Sequence, residues 1–489
     1  MRILRGSRWA ARPLRLAALA IGVVGWMVAG SPGNARAAVV NTQTAVAWGD
    51  NASGELGDGT TTGRAVFGPV SGLASGIVQV AAGRDFSWSL AVTSSGAAWA
   101  WGDNAAGQLG DGTTTQRTTP VQVKGLTGAT AVAAGGTFSL ALRSDGTVWA
   151  WGDGQYGQLG NGTRTSSLVP VMVKGLTGVI RIAAGDRFSL AVRSDGTVWA
   201  WGNNSDGELG TGTTTSSLVP VKVNGLAGAT GIAAGTDAGY AILASGTGQT
   251  SLWAWGGNGN GDLGDGTTAA HLTPELVTGI TAPGIADISA GLWFAVAVGT
   301  DGSVWGWGDD SAGELGNGPT TTLALRPVRT LPPGSGIVQL SAGTTFPPGP
   351  LGFGQEYEFV LALKSDGTAW GWGDNINGEL GDGSTGGFTV GPVQVTGLAG
   401  VTQVAAGHGF GLAVTTFRRV PGVIGDTTTA ASAALQAAGF VLGQVTNAPD
   451  YTCNYIGVIK SQTPTAGTWA RYGSAVSVTV GTRPPQPCP

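Results

Sequence analysis

"FSLALRSDGTVWAWG" runs from Phe138 to Gly152, and "FSLAVRSDGTVWAWG", changed at one position, runs from Phe188 to Gly202. The stretch reads as a β-hairpin. Phe138 to Leu142 alternates with the two-residue period of a strand, Ser144-Asp145-Gly146 is turn chemistry, and Thr147 to Trp151 alternates again. Trp149 and Trp151 stand two apart and share one face of their strand, and such a face must be covered by another apolar sheet. Their strict i, i+2 recurrence marks them as core between sheets rather than as a sugar-stacking platform.

The unit recurs along the chain. Trp-Gly steps fall at Trp48, Trp101, Trp151, Trp201, Trp255, Trp307 and Trp372, each opening a Gly-rich loop such as "WGDNAAGQLGDGT". A small-small-Gly corner ends a short strand at Gly83, Gly135, Gly185, Gly235, Gly291, Gly343 and Gly407. Strand-rich repeats of this length are propeller blades, one small antiparallel sheet each. The array opens on a Trp-Gly half-unit, "AVAWGDN", and closes on a Gly-corner half-unit, "VAAGHGFGLAV". Pairing the two halves completes a seventh blade and closes the ring without a covalent link, removing two open sheet edges. The expected fold is all-β: a seven-bladed β-propeller over 38–417 with non-covalent closure, followed by a small α/β domain.

Composition agrees. The 489 residues include 88 Gly and 18 Trp, and only 11% are charged, which suits many tight turns and rules out a mainly helical chain. Residues 1–37 read as a signal peptide: five Arg up to Arg15, a short apolar run from Leu16 to Gly30, and a small-x-small cleavage pattern that places the cut between Ala37 and Ala38. The run is short for a membrane span, and no Arg pair precedes it, so export by the general secretory route is expected, with no membrane attachment after cleavage. Cleavage removes six Arg and no acid, leaving 19 basic against 29 acidic side chains and a net charge of −10. Such a surface repels phosphate backbones, and nucleic-acid partners are not expected.

The pattern "VWAWGDGQYGQLGNGT…P…V…L…IAAG" resembles the repeat of the regulator of chromosome condensation family over roughly residues 45–416. The resemblance implies a seven-bladed propeller. Its best-known member is a nuclear guanine-nucleotide exchange factor that also binds chromatin. Repeats of the family usually carry a His three residues past the Gly corner, where this chain has Phe86, Phe138, Phe188, Ala238, Phe294 and Phe410. An exported acidic chain without those imidazoles gives exchange activity little support. The resemblance points instead to exported bacterial propellers, among which are proteins that inhibit β-lactamases by gripping them with one face.

Composition shifts at Arg418-Arg419-Val420-Pro421. A short helix follows, with Ala430, Ala433, Ala434, Ala437, Ala438 and Leu435 as its packing face and Gly439 as its stop. Val420-Pro421-x-Val423, Ala438-Gly439-Phe440, "SQTPTAGT" and Gly473-Ser474-x-Val476 are similar to a PASTA domain, set at 420–482, with a Pro-rich tail at 483–489. That resemblance implies peptidoglycan as a ligand and a place at the cell wall. Cys453 and Cys488 are the only cysteines, and in an exported chain two such residues are expected to pair.

Chemistry is sparse. Glu55, Glu208, Asp262, Glu314 and Glu379 share one place in the repeat, with Gln108 and Gln158 in two others, and Asp50, Asp103, Asp153, Asp309 and Asp374 share a second. Positions repeated in every blade are structural, since Asp and Asn side chains bond turn amides. The Asp-Asn-x-x-Gly-x-Leu-Gly-Asp-Gly runs lack the spacing of an EF-hand, so no metal and no cofactor is expected. With two His, no Ser-His-Asp, Cys-His or zinc constellation is expected, and no catalytic residue is assigned. Symmetry breaks in the sixth unit, where "TTFPPGPLGFGQEYE" intrudes. Phe346, Phe353 and Tyr357 are the candidate partner-binding rim, because propeller loops gather on rims. The expected function is an exported, non-enzymatic binding protein holding an extracellular protein or a cell-wall glycan; the alternative is a wall-active glycan lyase or hydrolase using carboxylates.

Overall fold

The structure, a computed structural model, describes residues 43–486 except Ala74, Thr247, 319–322, 346–356 and Tyr472. Ala37, Ala38, Phe346, Phe353 and Cys488 therefore lie outside the described residues.

The quoted stretch folds as its alternation requires. Phe138–Arg143 pairs antiparallel with Val148–Gly152 in the register Phe138↔Gly152 to Leu142↔Val148. Gly146 turns the chain at φ 76, and the Asp145 carboxylate takes the Thr147 N–H at 3.0 Å. The hairpin is the middle of a four-stranded sheet completed by Ala129–Ala134 and Ser167–Met172.

Seven such sheets form. Blade 1 is Ile77–Ala82, Trp88–Thr93, Ala98–Gly102 and Arg117–Gln122; blades 2 to 6 follow at 129–172, 179–222, 229–276, 285–331 and 337–394. Blade 7 joins both ends of the array. Thr44–Gly49 and Arg64–Pro69 lie beside Val401–Ala406 and Phe410–Thr415, with Thr44↔Thr415 through Gly49↔Phe410 unbroken. The first strand of each of blades 1 to 6 packs on that of the next, and Val401–Ala406 contacts both blade 6 and blade 1. The ring is closed.

Tryptophan holds neighbouring blades together. Trp151 is fully buried, and Trp149 lies half-buried beside it on Trp88, Leu90, Val92 and Leu109 of blade 1. Val148 and Ala150, on the other face, pack on Trp201 of blade 3. The Trp151 indole N–H donates to the Gln108 carbonyl of blade 1 at 2.8 Å, and the same bond recurs in every blade. At the seam Trp48 donates to Glu379 O at 2.7 Å. The Gly corner has a steric cause: a Cβ on Gly135 would lie 2.2 Å from the Phe138 ring and 2.8 Å from the Gly185 carbonyl of the next blade.

Past the ring, Phe417–Arg419 pairs with Trp469–Arg471 in a two-stranded sheet of its own, and the Trp469 ring packs on Phe67 of blade 7. The C-terminal module has a helix, Thr428–Ala437, capped by the Thr427 hydroxyl, and a three-stranded sheet in which Ala475–Thr482 lies between Val441–Pro449 and Ile459–Thr463. The helix face differs from the expected one. Ala431 and Leu435 are buried with Ala434 and Ala438 against them, whereas Ala430, Ala433 and Ala437 face solvent. No helix among the described residues is long and apolar enough to cross a membrane.

Candidate functional site: the axial mouth

Loops that follow the Gly corners meet loops that follow the Trp-Gly steps at one end of the ring axis, tied by backbone bonds such as Asp103 N–H to Ser87 O and Asp50 N–H to Gly409 O. Together they line a cavity of about 650 Å³. Asp50, Ala52, Ser53 and His408 come from blade 7, Asp85, Phe86, Ser87 and Asp103 from blade 1, and Asp186, Thr236, Leu292 and Thr344 from blades 3 to 6. Beside it, the half-buried Arg84 of blade 1 donates to the Ala234 carbonyl of blade 4 on the far side of the ring, and the Thr344 hydroxyl donates to Arg84 O.

The mouth is acidic. Burial raises the Asp186 carboxyl well above the ordinary range, helped by the Asp85 carboxyl beside it. Lost hydration also lifts Asp237 to about 6 although part of its surface stays exposed, with Asp206 and Asp186 adding repulsion. Phe86 stands 47% exposed among these acids. Though it stands three residues past Gly83, it does not take the strand position that Phe138 fills in blade 2. Two extra residues in "GRDFSW" hand that place to Trp88, which pairs with Gly102, as Phe359 pairs with Gly373 in blade 6.

Ser87 and His408 meet at the mouth: the Ser87 hydroxyl lies 3.2 Å from His408 Nδ1, and the Asp50 charge acts on the ring from further off. Sequence reading missed this because more than three hundred residues separate Ser87 from His408, and only ring closure joins them. The group is poorly made for nucleophilic catalysis. Burial lowers the imidazole to about 4, leaving a weak base at neutral pH, and Ser87 is 8% exposed.

The repeated acids hold their loops. Glu55, Gln108, Gln158, Glu208, Asp262, Glu314 and Glu379 each accept the backbone N–H two residues earlier, at 2.7–3.4 Å. Gln108 donates to Asp103 at 2.7 Å and Gln158 to Asp153 at 2.8 Å. Where Glu replaces Gln opposite Asp, burial lifts the carboxyl, Glu55 to about 8 and Glu314 to about 9. In two places a third acid joins: Asp206, Glu208 and Asp237, and Asp309, Glu314 and Glu358, each trio with carboxylate oxygens within 4.8 Å of one another. Sequence spacing hid both, because Asp237 comes from the loop before the strand Ala238–Ala244 and Glu358 from the strand Tyr357–Lys364, each in the next blade.

Of the candidate rim, Tyr357 opens the strand Tyr357–Lys364 and its ring packs on Phe388 at 4.9 Å. The axial cavity does not include it. Cys453 sits at φ 59 in the turn after Asp450, and its expected partner Cys488 is outside the described residues.

Comparison with known proteins places these features. The family model described as RCC1-like domain matches residues 10–347, the RCC1 repeat matches 366–414 and the PASTA domain matches 418–482. The chain is 30% identical over 169 residues to the E3 ubiquitin-protein ligase HERC2 of Homo sapiens, covering 34% of this chain and 3% of that one. It is 29% identical over 142 residues to Protein RCC2 of Homo sapiens, covering 29% of this chain and 25% of the relative. It thus spans a quarter or less of the length of these relatives. Among solved structures, Prp20p from Saccharomyces cerevisiae superposes with a TM-score of 0.64 at 20% identity, covering 77% of this chain and 92% of that one. Human WBSCR16 gives 0.61 at 22% identity, covering 76% and 98%. These two likenesses establish the propeller fold.

Proposed function

We propose, on the footing that this chain belongs to the RCC1-like domain family, that it is an exported, non-enzymatic binding protein. The propeller holds a partner at its axial mouth, and the PASTA module keeps it at the bacterial cell wall. A propeller of this family joined to a PASTA domain fits an interaction protein.

The observation that supports the reading is the cavity itself. Four Asp from three blades surround an exposed Phe86, on a chain with few cations to balance them. The Asp50, Asp85 and Asp103 side chains beside one apolar ring suit a protein segment that carries Lys or Arg next to a hydrophobic side chain. The yeast structures named for Gsp1p, histones and Kap60 make protein ligands a reasonable class for this fold. Tyr357, its ring packed on Phe388, is a second contact point in this proposal, together with Phe346 and Phe353, which lie outside the described residues.

The experiment compares the native chain with Asp103→Lys in affinity capture from the producing culture, alongside digestion of purified cell walls. A protein that co-purifies with the native chain and is lost from D103K, with no wall turnover, is the expected result. Wall turnover that disappears on replacing a carboxylate would establish the lyase or hydrolase alternative instead.

A further inference from the structure

The trio Asp309, Glu314 and Glu358 stands where blade 5 meets blade 6. Asp309 ends the strand Val304–Asp309, Glu314 lies in the loop that follows it, and Glu358 lies in the second strand of blade 6. Glu314 and Glu358 are fully buried and Asp309 is half-exposed. Elsewhere the repeat brings two side chains together here, and two blades use a Gln–Asp bond. Among the described residues, only this place adds a third carboxyl group beside the pair with both Glu fully buried.

The hydrogen bonds do not account for it. Glu314 Oε2 takes the Ala312 N–H at 2.7 Å, while Glu314 Oε1 is buried with no hydrogen-bond partner among the described residues. Glu358 Oε1 takes the backbone N–H groups of Leu292 and Trp293, the latter at 3.2 Å. Arg84 lies near enough to act on Glu358, but its hydrogen bond goes to Ala234 O, and no described cation is salt-bridged to any of the three acids. The other trio is different. Glu208 there is bonded by Asn203 Nδ2 and the Asp206 N–H, and both Asp are exposed.

We propose that Asp309, Glu314 and Glu358 form a site for a hard divalent cation of the calcium class, bridging blades 5 and 6. Calcium binds carboxylate oxygens at about 2.3–2.6 Å, so ligands on opposite sides of one ion stand up to about 5 Å apart. The 4.8 Å envelope of these oxygens fits within that span. Magnesium, at about 2.1 Å, would require the trio to contract and would have to shed most of its waters. The half-exposed Asp309 leaves a side open for the ion to enter and for water to complete its shell. The ion would replace protons as the source of charge balance and fasten the blade that carries the sixth-unit insertion to its neighbour.

The test is calorimetric titration of the chelator-treated full chain with calcium chloride at pH 7.5, with thermal unfolding in parallel. One saturable site per chain is expected, with a rise of a few degrees in the main transition. Glu314→Gln and Glu358→Gln should each weaken binding at least tenfold, and Glu55→Gln should leave it unchanged. E314Q keeps the fold, because Gln108 and Gln158 stand at the same place in blades 1 and 2; it decides the matter alone should E358Q not fold. No saturable heat, binding retained in E314Q, or equal weakening in E55Q would each overturn the site.

Discussion

Glu55 is the residue at which the repeat exposes its own logic. It stands where Gln108 and Gln158 stand, opposite Asp50 as they stand opposite Asp103 and Asp153, and burial raises its carboxyl to about 8 from an ordinary 4.5. Below pH 4.5 the group is protonated in both folded and unfolded chains, and its contribution to stability is complete. Between 4.5 and about 8 the unfolded chain ionises first, so stability falls as pH rises, and the loss is complete once the folded carboxyl ionises as well. Glu55→Gln removes this dependence and supplies a permanent donor toward Asp50. Thermal unfolding at pH 8 should show E55Q stabilised on the order of 1–3 kcal/mol relative to the native chain, with the gap closing toward pH 4.5. An unchanged pH profile would mean that burial does not hold the Glu55 proton. The sequence shows the Gln–Glu interchange plainly. The protonation it implies depends on burial, which no single repeat displays.

The elements were legible wherever periodicity spoke. The hairpin Phe138 to Gly152, the Trp face and the half-units all follow from a two-residue alternation repeated seven times, and the structure reproduces each. Legibility failed where the spacing changed. The two additional residues before Trp88 moved Phe86 out of the core, and the Ala-rich helix offered two faces of nearly equal polarity, of which the one with Ala431 is buried. The join between propeller and PASTA module was also hidden, because it rests on a three-residue pairing and one aromatic contact. The Trp469 ring lies 4.7 Å from Phe67 of blade 7, with the Arg419 guanidinium 5.8 Å from its centroid. Trp469→Ala should weaken that coupling by about 1–2 kcal/mol, a half-buried ring losing less than a core one. Scanning calorimetry should then resolve the PASTA module as a separate, earlier transition while the propeller melts within a few degrees of its native temperature. A single unshifted transition would show that the contact is incidental.

At the scale of the whole molecule, the fold could be read from the chain and the mouth could not. A repeat announces its own architecture, but the cavity collects one or a few residues from each of six blades at positions where the repeats differ, and Asp50 and His408 reach it from opposite ends of the array. The mouth therefore depends on the seam. In blade 7 every bond between Gly49 and Phe410, and the Trp48 bond to Glu379, crosses between segments that no peptide link joins locally. Losing Thr44–Gly49 leaves a bare strand edge and uncovers Phe359 and Leu361 of blade 6, which share a core with Trp48. The direct measurement is thermal unfolding, followed by circular dichroism, of a chain lacking residues 38–60 and of one ending at Arg419. The closed ring predicts that the first loses or sharply lowers the main transition, while the second shifts it by only a few degrees through loss of Trp469. If both melt like the full chain, the ring does not depend on its seam, and the account is contradicted.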